Sequence, residues 1–177
     1  EVVASAEAGG RSWGERSAKQ RAAILRDVGA ALEASRDRLI DVAMSETGKT
    51  IDQADPEASE AIDFAYYYAD LAEQLDAIDG ATFTPDALTV VTPPWNFPVA
   101  IPAGSTLAPL AAGSGVILKP APQARRCGAV LAEVLWSAGV PRDALTLLNI
   151  ADDDLGSQLI ADPRVRRVIL TGAYETA

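Results

Sequence analysis

Leu88-Thr89-Val90-Val91-Thr92-Pro93-Pro94-Trp95-Asn96-Phe97-Pro98 is the stretch whose reading decides the fold. A short β-branched run reads as a strand. The prolines behind it fix φ and remove backbone donors, so the chain cannot continue as strand or enter a helix at once. Working outward, residues 101–112 read as a helix rich in small residues and closed by Gly113. Val116-Ile117-Leu118 is an apolar run of buried-strand type, followed by a helix from about 123 to 138 with Gly139 at its end. Leu145-Thr146-Leu147-Leu148, a short helix near 155–161 and a strand over 165–170 complete the series. Strands separated by helices predict a parallel sheet with crossovers, and the runs at 116–118 and 168–170 predict strands covered on both faces. Ligands of such sheets gather at the carboxyl ends of the strands, where the turn 93–98 falls.

Upstream of Gly80 the pattern is helical. Leu25, Val28 and Leu32 recur at helical spacing over 17–33, and Leu39, Ile40 and Ala43 continue over a second segment from Arg36 to the stop at Gly48. Asp55-Pro56 predicts an N-cap and first helical residue, and Ala58, Ala61, Ile62, Ala65, Tyr68, Ala69, Ala72 and Leu75 form one apolar stripe behind it. Tyr66, Tyr67 and Tyr68 are consecutive and cannot all face one core, so at least one points to solvent or a partner. The fold class expected is α/β, N-terminal helices (1–80) followed by a partial Rossmann-like parallel sheet (81–177).

Composition narrows the chemistry. A chain of 177 residues with 49% hydrophobic content suits one globular domain. Its net charge of −10 and pI near 4.4 exclude a nucleic-acid or anionic-membrane surface. The absence of histidine removes Ser-His-Asp and Cys-His chemistry, and no metal site is expected; the run Asp152-Asp153-Asp154 reads as a solvated loop and helix cap. One cysteine, Cys127, allows no internal disulfide and fits a reducing, cytoplasmic setting. No membrane span is expected, because the apolar stretch 99–118 is broken by Pro102, Gly104, Pro109, Gly113 and Gly115. A start on Glu1 and a stop on Thr176-Ala177 just after a strand read as the two cut ends of a larger protein.

Gly48-Lys49-Thr50 imitates the end of a phosphate-binding loop, but Ala43 stands where that loop needs glycine and a helix precedes it. The turn 93–98 is far more specific. Pro94-Trp95-Asn96-Phe97-Pro98 resembles the hallmark turn of the aldehyde dehydrogenase superfamily. The likeness continues in family order through Ala108-Pro109-Leu110-Ala111-Ala112-Gly113, Val116-Ile117-Leu118-Lys119-Pro120, Ala138-Gly139-Val140-Pro141 and Val168-Ile169-Leu170-Thr171-Gly172. Upstream, Arg21-Ala22-Ala23-Ile24-Leu25 and Glu46-Thr47-Gly48-Lys49 match the family's leading helices. Within it, the segment 60–69 and the wording from 94 to 123 look most like the L-glutamate γ-semialdehyde (1-pyrroline-5-carboxylate) dehydrogenases of proline breakdown, often fused behind a flavin-dependent proline dehydrogenase.

The resemblance implies an N-terminal part of an NAD(P)-binding domain, with an aldehyde as substrate, NAD or NADP as cofactor and FAD only where a proline dehydrogenase is fused to it. Asn96 matches the oxyanion donor that meets the substrate oxygen as a thiolate attacks; from the residues alone, a cap on the following helix is an equal alternative. Lys119 matches the lysine that binds the adenosine ribose, against the plain reading of a surface lysine. Trp95 matches the boundary between cofactor and substrate, against plain core packing. Pro122 stands where NAD-preferring members often carry a ribose-binding glutamate, with neutral Gln123 beside it. Ala173 follows Gly172 where the family usually has serine before the helix that faces the pyrophosphate. Residues 151–154 replace a glycine-rich stretch, leaving Gly156 as the glycine nearest the phosphates. The nucleophilic cysteine and the glutamate base of the family match no residue here, and Cys127 reads as a buried small hydrophobe. The 177 residues are therefore expected to be inactive alone. Expected partners are the remainder of the parent chain and a second copy in a homo-oligomer; the alternative to an enzyme is a noncatalytic dehydrogenase-like module for assembly or channelling.

Overall fold

The structure is a computed structural model that describes residues 1–75, 77–150 and 154–173. Four helices come first: α1 (Val2–Gly14), α2 (Ala18–Ala34), α3 (Arg36–Thr47) and α4 (Ile51–Leu75). Then β1 (Leu88–Thr92), α5 (Ala100–Ala111), β2 (Gly115–Leu118), a 3-10 turn (Pro122–Ala124), α6 (Arg125–Ser137), β3 (Leu145–Leu147), α7 (Asp154–Ile160) and β4 (Arg167–Leu170) alternate. All pairings are parallel, in the order β3-β2-β1-β4, with Leu88 opposite Gly115 and Thr89 opposite Arg167. The α/β expectation is met, and the chain reverses direction across the sheet between β3 and β4.

Alternation along β1 sends its side chains to two cores. Val91, with Val116, Leu118 and Leu145, packs under α2, α4, α5 and α6; Leu88, Val90 and Ile117 pack against Ala6 of α1 and Leu159 of α7. Leu107, Leu110, Leu131 and Leu135 are all fully buried in the larger core, each contributing roughly 1.5–3 kcal/mol on area grounds. That core draws residues from both halves of the chain.

Local chemistry sets the helix ends. Ser17 and Gln20 form a reciprocal capping box at the start of α2, with bonds of 3.2 and 2.9 Å. Gly48 takes φ +73° and ends α3, so the imitation phosphate loop is a helix terminus. The expectation that α4 starts at Asp55-Pro56 is wrong. The helix begins at Ile51, the carbonyl of Thr50 accepts the Gln53 and Ala54 amides, and Pro56 lies inside. The Asp55 carboxylate is held instead by Arg36, whose Nε and Nη2 donate at 3.0 and 2.6 Å. Arg36 Nη2 also reaches the Asp55 carbonyl and Ser59 Oγ, bracing the turn that proline loosens.

A second correction concerns β4. Arg167 and Val168 are exposed, and Val165 lies in the preceding turn, its amide bonded to the Asp162 carbonyl. This strand is an edge, not a two-sided core strand. Of the three tyrosines, Tyr67 is the most open at 57% and Tyr66 follows at 38%, as their spacing required. Among the described residues no helix is long and apolar enough to cross a membrane, and no group of His, Cys, Asp and Glu could hold a metal.

Candidate functional site

The carboxyl ends of the four strands form one edge, and the sequence-derived candidates fall along it. Trp95 and Asn96 follow β1, Lys119 and Pro122 follow β2, Gly156 lies in α7 after β3, and Gly172 and Ala173 follow β4. Trp95 (50%) and Phe97 (46%) are open, which excludes core packing for Trp95, and Asn96 is exposed between them. Asn96 does not cap α5 either: the N-cap residue is Val99, with no side-chain cap bond of its own. Lys119 is 7% exposed at the end of β2, where its amide donates to the Val91 carbonyl at 2.9 Å. The solvated surface lysine is thereby excluded. Pro122 opens the 3-10 turn and is exposed with Gln123. Of the acidic run, Asp152 and Asp153 lie outside the described residues, and Asp154 is the exposed first residue of α7.

Two charged residues hold the turn, Glu57 and Lys49, and no such role was read for either from sequence. Glu57 of α4 is 3% exposed, and its Oε2 accepts the amides of Val99 and Ala100 at 3.0 and 3.1 Å. Its Oε1 lies 2.8 Å from Lys49 Nζ, and that ammonium sits 4.8 Å from the centroid of the Phe97 ring. A carboxylate at a helix N-terminus satisfies orphan amides and meets the positive end of the helix dipole. Glu46 does the same for α6, accepting the amides of Arg126 and Cys127 at 2.8 and 2.7 Å. A signal for Glu57 exists in the sequence: it lies between Ala54, Ala58 and Ala61 on the apolar stripe of α4, where a charge has no place without a partner.

Cys127 is fully buried against Val42 and Ala124. Burial above all pushes its thiol well up, helped by the adjacent Glu46 carboxylate, and the nearby Arg126 only partly opposes this. It is a structural residue and no nucleophile.

These contacts also decide how a dinucleotide would fit. The N-termini of α5 and α6 are filled by protein carboxylates and are closed to a pyrophosphate. The end of β4, Thr171-Gly172-Ala173, is exposed, and it lies on the same edge as Lys119 at the end of β2, with β1 between them. Lys119 and the exposed backbone of Gly172 and Ala173 are the residues that would hold a dinucleotide at this edge.

A profile of the aldehyde dehydrogenase family matches residues 1–177. The bifunctional protein PutA of Salmonella typhimurium is 40% identical over 165 residues, which are 93% of this chain and 12% of that protein. The 1-pyrroline-5-carboxylate dehydrogenase 2 of Bacillus subtilis is 34% identical over 173 residues, 92% of this chain and 34% of that one. Among solved structures, proline utilization A (PutA) from Corynebacterium freiburgense superposes with a TM-score of 0.89 at 44% identity, covering 99% of this chain and 18% of its own. The chain thus spans between 12% and 34% of the length of these relatives. With a matching profile along its whole length and the family's turn at the edge of a parallel sheet, the chain belongs to the aldehyde dehydrogenase family.

Proposed function

We propose that the chain supplies the oxyanion donor and much of the cofactor-facing edge of an NAD(P)-dependent dehydrogenase that oxidises L-glutamate γ-semialdehyde to glutamate in proline breakdown. The observation that carries this reading is the exposed Asn96, presented at the carboxyl end of β1 by a turn that the protein holds from behind. The relatives named above, PutA proteins and 1-pyrroline-5-carboxylate dehydrogenases, support the substrate.

In this reading the Asn96 side-chain amide donates to the aldehyde oxygen as negative charge develops on it, a contribution of about 2.7–4 kcal/mol at comparable sites. Trp95 lines the boundary between substrate and cofactor. Lys119 meets the adenosine ribose beside Pro122 and Gln123, which bring no carboxylate to repel a 2′-phosphate, so NADP is admitted with NAD. The backbone of Gly172 and Ala173, together with Gly156, faces the pyrophosphate. When bound, the dinucleotide supplies the two-electron acceptor. The reading places the nucleophile and general base outside these 177 residues, because Cys127 is buried and protonated. It also includes a cytoplasmic setting, pairing into a homo-oligomer, and FAD only where a proline dehydrogenase is fused to the chain.

The test is an assay of the full-length gene product with glutamate semialdehyde and NAD or NADP. Turnover is expected, falling by roughly 10²–10³ in Asn96→Ala. Turnover of another aldehyde alone would overturn the substrate assignment. The 177 residues on their own are expected to show no turnover and no submicromolar NAD binding by calorimetry.

A further inference from the structure

We propose that Glu57, acting with Lys49, is a positioning residue for Asn96: it clamps the turn 93–98 from the helical layer so that the Asn96 amide is held ready for a developing oxyanion. The proposal deepens the oxyanion role argued above and rests on it.

Pro93 and Pro98 are buried at the two ends of the turn, but Trp95, Asn96 and Phe97 are exposed, so side-chain burial does not fix its tip. What fixes it is covalent on one side and ionic on the other. Pro93, Pro94 and Pro98 restrict the backbone, and β1 anchors its start. Beyond Asn96, the next residue is approached by the Lys49 ammonium at 4.8 Å from the Phe97 ring centroid. The residues after Pro98 are held by Glu57 Oε2 at 3.0 and 3.1 Å. The two holds are one unit, because Glu57 Oε1 and Lys49 Nζ are 2.8 Å apart with side chains 3% and 12% exposed. A buried carboxylate between two amides and an ammonium has little freedom, and that rigidity passes to the residues it binds. A donor held in place before reaction costs no reorganisation when the charge appears.

A glutamine at 57 keeps an acceptor for the amides but turns its NH₂ toward an ammonium, breaking the unit without removing its bulk. Two arms separate this proposal from the reading beneath it. In NMR spectra of the 177-residue chain, Glu57→Gln and Lys49→Met are expected to shift the Val99 and Ala100 amides. Both are expected to lower the heteronuclear NOE of the Asn96 side chain. Lys49→Arg is expected to keep the wild-type pattern. Glu46→Gln, which removes the matching carboxylate from α6, should move Arg126 and Cys127 only. If Asn96 is unchanged in a folded Glu57→Gln, or responds equally to Glu46→Gln, the clamp is refuted. Should Glu57→Gln not fold, the contrast of Lys49→Met with Lys49→Arg carries the same decision. In the full-length gene product, Glu57→Gln is expected to lower kcat about tenfold with the KM for NAD unchanged. A purely structural role would instead lower the amount of folded enzyme and leave kcat per active site intact. Absence of wild-type turnover would count against the dehydrogenase reading, while the NMR arm would still judge the clamp.

Discussion

At the scale of single residues, Cys127 ties geometry to a measurable titration. Its burial favours the neutral thiol, so the folded state holds the proton more tightly than the unfolded chain, whose ordinary value is 9.0. The stabilisation is complete below that value and is lost as pH climbs from it toward the raised folded value. Wild-type stability to urea should therefore fall more steeply above about pH 9 than that of Cys127→Ala, the difference isolating the thiol from other groups. Equal slopes, or rapid labelling of the native thiol, would refute the buried assignment. Composition was enough to suggest this inert role, since a small apolar neighbourhood and the lack of histidine are visible in the sequence. Asp55 shows the opposite case. Its own window looks like a cap, and only the chain's return brings Arg36 to its carboxylate, an event no local pattern encodes.

Among the elements, α1 was hidden by its glycines. Gly9, Gly10 and Gly14 all lower helix propensity, and only the docked helix shows why they are there. A Cβ on Gly10 would stand 1.9 Å from the Ala87 carbonyl oxygen and 2.9 Å from the Gly115 Cα. The helix backbone rests directly on the amino ends of β1 and β2. Gly10→Ala, which would gain about 1 kcal/mol in a free helix, should here cost about 1–3 kcal/mol in urea unfolding through overpacking. A neutral or stabilising result would mean that α1 does not sit on the sheet in this way. The remaining helices and all four strands were legible because period and punctuation agree with burial. Their boundaries shifted by a residue or more, at α5 and α6 where a distant carboxylate supplies the cap, and most at α4, whose first turn closes on the Thr50 carbonyl. The same reason hid Glu46 and Glu57, whose partners lie in other elements, although Asn96 and Lys119 could be placed at the correct edge from sequence.

For the molecule as a whole, the least satisfied feature is β4. It closes the sheet order on one side, pairs only with β1 among the described residues, and exposes Arg167 and Val168 (39%). An edge strand with an apolar residue open to solvent invites pairing between chains. Sedimentation velocity should show concentration-dependent self-association of the 177-residue chain, reduced in Val168→Lys; a monomer at every concentration would remove the argument. The sequence suggested a strand buried on both faces at 168–170, because apolar content reports what a strand is suited to meet and not what covers it. The carboxylate caps bear on a different matter, the order in which the chain leaves the ribosome. Glu57 precedes the amides it binds by 42 and 43 residues, and Glu46 precedes its own by 80 and 81. As synthesis proceeds from the N-terminus, the acidic ends of both caps emerge before α5 and α6 exist. Each nascent helix of the sheet layer thus meets a waiting anion, and the early helices serve as a template against which the later half is assembled.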